Sequence, residues 1–583
     1  MKRLCLSGIV LWLSWILSVI SYGEKEQWMF FQTIPEIVLL LIFLYLIRVS
    51  KNKWKHIGQS IIFLLCIIYF IQCIYYSQVG EFMSILALEN ADQAYLLIRP
   101  AYIIWLLVII VVSFFIVQGS KVFLSKNKLI ISMVCIVLSA GGVYIQNTNS
   151  HINWSLIKNV HRGGTPIASL SKNIVKSIIP LTKQQKKIAG YPFEKDWIYK
   201  NQLPFPAKSD QHVAQPNIII IFTEGTSARL LDCYDGKLGD VTPNIDAFAE
   251  KSMVVDRYYN HTAATFRGTH GQLTSCYPRY GGNEKGGWVG NKSGAGVSKQ
   301  LAKREYQSLP KLLNERGYDT SFISPHMQED PYTDLLNMLG FHQVYTRDSA
   351  TEFLPYNPEF WHSSLTDQDM YTELVQILEH KTTSQPFLIA MYTFETHTNV
   401  DTPDDGIKYK DGSNETLNTL HNVDNAFGSF WNYFMHSQYK DNTIIIFTAD
   451  HCHYHDKPFM SLVANDTDYV KCFHDRIPLI IYDPLHSLPE RYDAQNNTSL
   501  ALTPTICQIL GINNEKNSFL GSSIFEPLDT SPVLAAGPDF YSIEDNHVVR
   551  PDQLAENDKK TVQQQIEKIT LFYECEKTNH VFH

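Results

Sequence analysis

The first 146 residues constrain this chain most: they hold five apolar runs separated by polar loops, each near the ~17 to 25 residues that a helix needs to cross a bilayer. The runs are Leu4 to Tyr22, Ile34 to Val49, Ile57 to Tyr76, Ala101 to Val117 and Leu129 to Ile145. Lys2 and Arg3 precede the first run as they would in a signal peptide, but no small-residue cleavage site follows and four more runs do, which predicts an anchor. One set of loops carries Lys2, Arg3, Arg48, Lys51, Lys53, Lys55, Lys121, Lys126 and Lys128, whereas the alternate loops, 24–33 and 78–92, are acidic and hold only Lys25. By the positive-inside rule the amino terminus is cytoplasmic, and everything after the fifth span lies outside.

Beyond residue 146 the composition is that of a water-soluble enzyme. A net charge of -9 over 583 residues offers none of the basic surface that nucleic-acid binding requires. The organisation expected is a transmembrane domain over 1–146, a Lys-rich juxtamembrane connector over 147–214, a catalytic domain over 215–545 and a C-terminal extension over 546–583. Short apolar strands alternate there with helical patterns. Strands are expected at Asn217 to Thr223, Thr320 to Ser324, Pro386 to Tyr392, Thr443 to Thr448 and Ile477 to Tyr482, and helices at Thr242 to Lys251, Leu309 to Arg316, Asp367 to His380 and Leu500 to Leu510. Strands that read as near-continuous Ile, Leu and Phe runs between helices predict a sheet buried on both faces, hence an α/β domain. Of ten cysteines, Cys5, Cys66, Cys73 and Cys135 lie in apolar runs, and Cys233, Cys276, Cys452, Cys472, Cys507 and Cys575 lie where disulfides are chemically allowed if the domain is outside.

In open α/β sheets, sites form beyond the carboxyl ends of the strands. The run IIIIFT leads to Glu224, TIIIFTA to Asp450 and His451, TSFISP to His326 and FLIAMYTFET to His397. Carboxylates and imidazoles at adjoining strand ends supply the O and N ligands that a divalent cation such as zinc or manganese prefers. Each has a plainer reading: Glu224 as a helix cap, Asp450 and His451 as turn polarity, and His326 and His397 as loop histidines. Their joint occurrence in this order favours the metal.

The motifs PNIIIIFTEGTSA (216–228), VTPNIDAFAEKS (241–252), TFRGTHGQLTSCYP (265–278), FETH (394–397), FTADHCHYH (447–455) and RIPLIIYDP (476–484) resemble the membrane-anchored members of the alkaline phosphatase and sulfatase superfamily. The similarity is strongest to lipoteichoic acid synthases and to phosphoethanolamine or phosphoglycerol transferases, which also place five transmembrane helices before a sulfatase-like three-layer catalytic domain. The resemblance implies that Glu224, Asp450 and His451 bind the metal and that a threonine near 265 is the nucleophile and a further ligand. Counting back from LTSCYP gives Thr265, and counting forward from Glu224 gives Thr269; Thr265 is preferred because helix register is fixed by packing. Arg267 and His270 would face a phosphate, His397 would protonate a leaving oxygen or hold the phosphate, His326 would contact the substrate, and His453, His455 and His474 would complete the metal site or bind the donor head group.

The function so implied is metal-dependent transfer of a phospholipid head-group phosphoryl unit, phosphoethanolamine or phosphoglycerol, to a cell-surface glycan or lipid. It would proceed through a phospho-threonine at the outer face of a bacterial inner membrane. The Trp-x-Arg element by which lipoteichoic acid synthases hold glycerol phosphate is replaced here by MQEDPYTDLLNMLGF, so the head group stays open. Two rivals remain: a membrane-tethered sulfatase or phosphodiesterase, whose sulfatase form would need a Cys or Ser convertible to formylglycine, and a non-catalytic lipid-binding pseudoenzyme.

Overall fold

The computed structural model describes residues 2–22, 27–49, 52–79, 82–83, 100–117, 164–171, 193–208, 215–235, 237–278, 307–381, 385–398, 400–528, 530–536, 539–577 and 581. The chain divides into two compact units, Met1–Pro180 and Leu181–His583.

The first unit contains helices α1 (Lys2–Tyr22), α2 (Ile34–Val49), α3 (Asn52–Val79) and α4 (Pro100–Val117). Five spanning helices were expected. Among the described residues two segments, Met29–Ile47 and Lys55–Ser77, are long and apolar enough to cross a membrane, while Leu6–Ser21 and Val108–Val117 are shorter apolar helices. The fifth expected span, 129–145, lies outside the described residues; among those described, the expected five-helix bundle is corrected to two candidate spans and two shorter apolar helices. Trp15, wholly buried, donates its indole N–H to the Met29 carbonyl at 2.6 Å and helps tie α1 to the turn before α2. Leu6, Leu17, Leu64 and Phe115 point outward, an arrangement that costs free energy in water and none in a hydrocarbon phase.

The second unit is built on an eight-stranded mixed sheet in the order β4-β3-β5-β1-β6-β7-β2-β8. Its strands are β1 (Asn217–Thr223), β2 (Met253–Asp256), β3 (Asp319–Ile323), β4 (Gln343–Tyr345), β5 (Phe387–Tyr392), β6 (Thr443–Ala449), β7 (Leu479–Tyr482) and β8 (Arg491–Asp493). The centre, β3-β5-β1-β6, is parallel, and β7 is antiparallel to both β6 and β2. β1 shows why the sheet must be covered twice: Ile218, Ile220 and Phe222 face one core and Ile219 and Ile221 the other, all fully buried. Each such side chain contributes roughly 1.5 to 3 kcal/mol, so one strand anchors both layers.

The helices are α5 (Pro243–Ala249), α6 (Thr265–Thr274), α7 (Leu309–Asn314), α8 (Pro331–Leu339), α9 (Asp367–His380), α10 (Glu415–His436), α11 (Lys457–Val463), α12 (Leu502–Ile509) and α13 (Glu556–Lys577). Apolar residues of α6, α7, α8 and α12 fill the first core, and those of α5, α9, α10 and α11 fill the second. Three layers result, as the alternating pattern predicted.

A second, three-stranded antiparallel sheet joins β9 (Val533–Ala536), β10 (Asp539–Glu544) and β11 (His547–Val549). Its β10–β11 hairpin turns at Asp545 and Asn546, both with positive φ, which suits a type I′ turn. Of the allowed disulfides, none joins Cys233, Cys276, Cys452 or Cys507, which are free thiols.

Candidate metal centre and nucleophile

β1 and β6 are parallel neighbours with Thr223 opposite Ala449, so the residues that follow them, Glu224 and Asp450, emerge side by side. The ligand atoms of Glu224, Asp450 and His451 lie within 4.8 Å of one another, all buried. His451 Nε2 is 3.3 Å from Glu224 Oε1 and 3.5 Å from Asp450 Oδ2. Asp450 Oδ1 is occupied, accepting from the backbone N–H of Gly225 at 2.8 Å and of His451 at 2.7 Å. Oδ2 is left without a hydrogen-bond partner, as is His451 Nε2. His451 Nδ1 donates to the Cys452 carbonyl at 2.7 Å, which turns Nε2 toward the carboxylates, the ring orientation typical of a metal-ligating histidine. The Tyr454 ring stacks on His451 with centroids 4.8 Å apart.

Burial raises the Glu224 carboxyl, but the charge of His451, then that of His397 and the Tyr392 hydroxyl, hold it well below the usual carboxylate range. Asp450 is pushed up to about 7 by burial and by the charge of Glu224. His451 goes up to about 9: burial opposes, and the charges of Asp450 and Glu224 prevail. Two buried carboxylates thus share one imidazole, leaving a surplus of negative charge that a proton or a cation must neutralise. The orphaned, buried oxygen and nitrogen make this donor set fit a divalent cation.

Thr265 opens α6, and its hydroxyl donates to Glu224 Oε2 at 2.9 Å. The Tyr392 hydroxyl donates to the same oxygen. Two backbone features bring α6 this close. Ala264, immediately before Thr265, has φ 73° and ψ 138°, a left-handed geometry that costs a residue with a Cβ of order 1 to 3 kcal/mol. One turn on, a Cβ at Gly268 would come within 2.2 Å of the Asp450 carbonyl, so only glycine allows the approach. Gln272 then pins α6 by donating to the Ala449 and Asp450 carbonyls.

The other expected residues divide. Thr269 is buried with its hydroxyl 3.0 Å from the Tyr332 hydroxyl, so between the two threonines it is Thr265 that bonds to Glu224. Arg267 and His270, both buried, lie on α6 within two turns of Thr265. His397 is half-buried, donates from Nδ1 to the Thr398 carbonyl at 2.9 Å and stacks on Phe394. His326 packs among Tyr332, Tyr392 and Phe394, and the Glu224 charge acts on it. His453 bonds to the Gly225 carbonyl and approaches Asp456, His455 bonds to the Cys472 carbonyl, and His474 bonds to the Asn260 carbonyl. None of these three joins the group of ligand atoms around Glu224.

Several supporting residues escaped the sequence reading. Tyr392 reads there as one more apolar strand position. Thr393 accepts from the Glu224 backbone N–H at 3.4 Å, and Thr396 donates to the Glu224 carbonyl at 2.6 Å. The loop bearing Thr396 and His397 is held in turn by Asp367, whose carboxylate accepts the backbone N–H groups of Phe394 and Glu395 while its own N–H donates to Glu395 Oε1. Only the threonines left a signal, Thr393 just before the FETH motif and Thr396 within it.

A family model described as Sulfatase matches residues 216–512. An N-acetylglucosamine-6-O-sulfatase from Bacteroides thetaiotaomicron is 24% identical over 198 residues, 32% of this chain; the chain spans about a third, 32%, of that relative's length. Among solved structures, the lipoteichoic acid synthase LtaP from Listeria monocytogenes superposes with a TM-score of 0.51 at 17% identity, covering 64% of this chain and 96% of that one. The lipooligosaccharide phosphoethanolamine transferase A from Neisseria meningitidis, an integral membrane protein, gives 0.52 at 13% identity, covering 88% of this chain and 96% of its own. At these identities the likeness is one of fold.

Proposed function

The chain belongs to the sulfatase family, and we propose that it is a membrane-anchored transferase moving a phospholipid head-group phosphoryl unit, phosphoethanolamine or phosphoglycerol, to an envelope glycan or lipid. The observation that carries this reading is the hydrogen bond from Thr265 to Glu224 inside the cluster with Asp450 and His451. A threonine there suits reversible attack on phosphorus, whereas a sulfatase would need a Cys or Ser convertible to formylglycine.

A divalent cation, zinc or manganese, held by Glu224, Asp450, His451 and Thr265, would supply charge stabilisation for the phosphoryl oxygens and lower the pKa of the hydroxyl. The chain's own residues do the rest. Glu224 orients the Thr265 hydroxyl, and Tyr392 orients Glu224. Thr265 passes its proton to Glu224 as Oγ1 attacks phosphorus, the bond to the diacylglycerol oxygen breaks, and His397, beside the cluster, gives that oxygen its proton. An acceptor hydroxyl then attacks the phospho-threonine and gives its proton to His397, and the departing Thr265 oxygen takes its proton back from Glu224. Arg267, His270 and His326 steady the group in transit.

The apolar helices of the first unit support an integral membrane setting, and the lysine and arginine distribution supports a cytoplasmic amino terminus with the catalytic domain outside. In that arrangement 1–146 is the anchor, 147–214 the connector, 215–545 the catalytic domain and 546–583 its extension. The test is to supply the purified protein with labelled phosphatidylglycerol or phosphatidylethanolamine, with and without chelator. Diacylglycerol release from one donor, abolished by chelator and by Thr265→Ala, is the expected result; release that survives Thr265→Ala overturns the reading. The partial identity to an N-acetylglucosamine-6-O-sulfatase favours a hydrolase as the second reading, and turnover of a sulfate ester in the same assay would select it.

A further inference from the structure

Tyr277, three residues beyond the end of α6, lines a cavity of about 290 Å³ whose walls also come from 195–200, 497–532 and α13. The ten residues of α6 span about 15 Å, which sets this cavity roughly a helix length from Thr265, and none of Glu224, Asp450 or His451 lines it. Four charged side chains do: Lys195, Lys200, Lys568 and Glu526. Three lysines to one glutamate make this lining basic, in a chain whose net charge is -9.

The carboxylate is already engaged. Glu526 accepts from the backbone N–H of Asn201 at 2.9 Å and from its side-chain amide at 3.3 Å, so its charge is directed into the cavity wall. Lys195 is half-buried, its ammonium 4.9 Å from the centre of the Trp197 ring. Burial, and then the charges of Lys568 and Lys200, push Lys195 down to about 8. Lys195 stands half-buried in the wall while Lys200 and Lys568 are exposed, and an anion entering the cavity would form charge-assisted hydrogen bonds with such ammonium groups. Thr498 and Ser522 add hydroxyls to the lining, and the volume sits at the lower end of small-ligand sites, enough for a compact ester.

We infer that this cavity is a second, non-catalytic anion site, which holds a phosphate or sulfate group between Lys195, Lys568 and Lys200. It stands whether or not the phosphoryl-transfer reading does, since it shares no residue with the metal centre. Its ligand is a tetrahedral oxyanion, borne either by a soluble ester or by a lipid head group, and α13, the last helix of the chain, forms one side of it.

Calorimetric titration of inorganic phosphate and of glycerol phosphate tests this, using the full chain in phosphatidylcholine nanodiscs with chelator present. The host protein is Glu224→Gln, Thr265→Ala, so that the metal centre contributes nothing. One binding event is expected there, weakened about tenfold or more by Lys195→Gln with Lys568→Gln and kept within about twofold by Lys195→Arg with Lys568→Arg. Melting curves verify that each variant folds. Phosphatidylglycerol in the nanodisc that abolishes the titration identifies the lipid head group as the ligand; an unchanged titration identifies the soluble ester. Binding that is absent from the host protein, indifferent to the Gln pair, or lost equally in the Arg pair overturns the proposal.

Discussion

The hydroxyl of Thr265 and the carboxylate of Glu224 are joined by a 2.9 Å hydrogen bond across 41 residues of sequence. Donor to one oxygen of a buried acid, the threonine is held where its proton is shared with a group that carries negative charge. If that bond marks the nucleophile, Thr265→Ala lowers turnover by about 10³-fold or more, while Thr269→Ala, whose hydroxyl is bonded to Tyr332, keeps activity within about tenfold. Donor labelled in the head-group phosphate should leave label on quenched wild-type protein and none on Thr265→Ala. Label on Thr265→Ala would reassign the nucleophile.

The three grouped ligands predict about one tightly bound divalent cation per chain by elemental analysis, lost in Glu224→Gln and in Asp450→Asn. Chelation should lower the melting temperature of the wild type, by the equivalent of about 3 kcal/mol at a hundredfold excess of metal over Kd, and leave that of Asp450→Asn unmoved. Equal metal content in wild type and both variants would place the ion elsewhere.

Ala264 should trade stability for function. Glycine adopts its positive φ without strain, so Ala264→Gly is expected to melt at or above the wild-type temperature, within about 1 kcal/mol. Its turnover should fall about tenfold, because Thr265 then samples positions off the attack line. Unchanged turnover would show that the strain serves only packing.

Glu373 lies in α9, fully buried, with neither carboxylate oxygen hydrogen-bonded. Burial, then the charges of Asp369 and Glu352, push it up from 4.5 to about 8. Between those values the folded chain keeps a proton that the unfolded chain has released, so stability is greatest below pH 4.5 for this group and falls as pH rises to about 8. Glu373→Gln removes that loss. It should match the wild type at pH 5 and melt higher at pH 8, by roughly 4 °C or more; parallel pH profiles for the two proteins would refute the assignment.

The catalytic layers were legible because their strands are unbroken apolar runs: Asn217–Thr223 and Asp367–His380 fall where their patterns place them, and the helix expected at Leu500 to Leu510 is observed as Leu502–Ile509 after a short 3-10 turn. Glu224, Asp450 and His451 were legible because they follow such runs directly. The three-stranded sheet of β9 to β11 was not, since its strands are only three to six residues long and β10 and β11 are partly exposed, and so carry little hydrophobic signal. Tyr392 and Asp367 were missed for a different reason. Their roles depend on which strands neighbour β1, and periodicity along one segment carries no record of its neighbours. Of the five expected spans, two are long and apolar enough to cross a membrane among the described residues, and the fifth lies outside them.

Gly225 and Asp450, bonded at 2.8 Å, are 225 residues apart, so the cation's two carboxylates arrive at very different times as the chain emerges. A polypeptide interrupted before its sixth strand has Glu224 but neither Asp450 nor His451 to group with it. If the proposed cation binds there, its uptake reports that the middle of the sheet has closed.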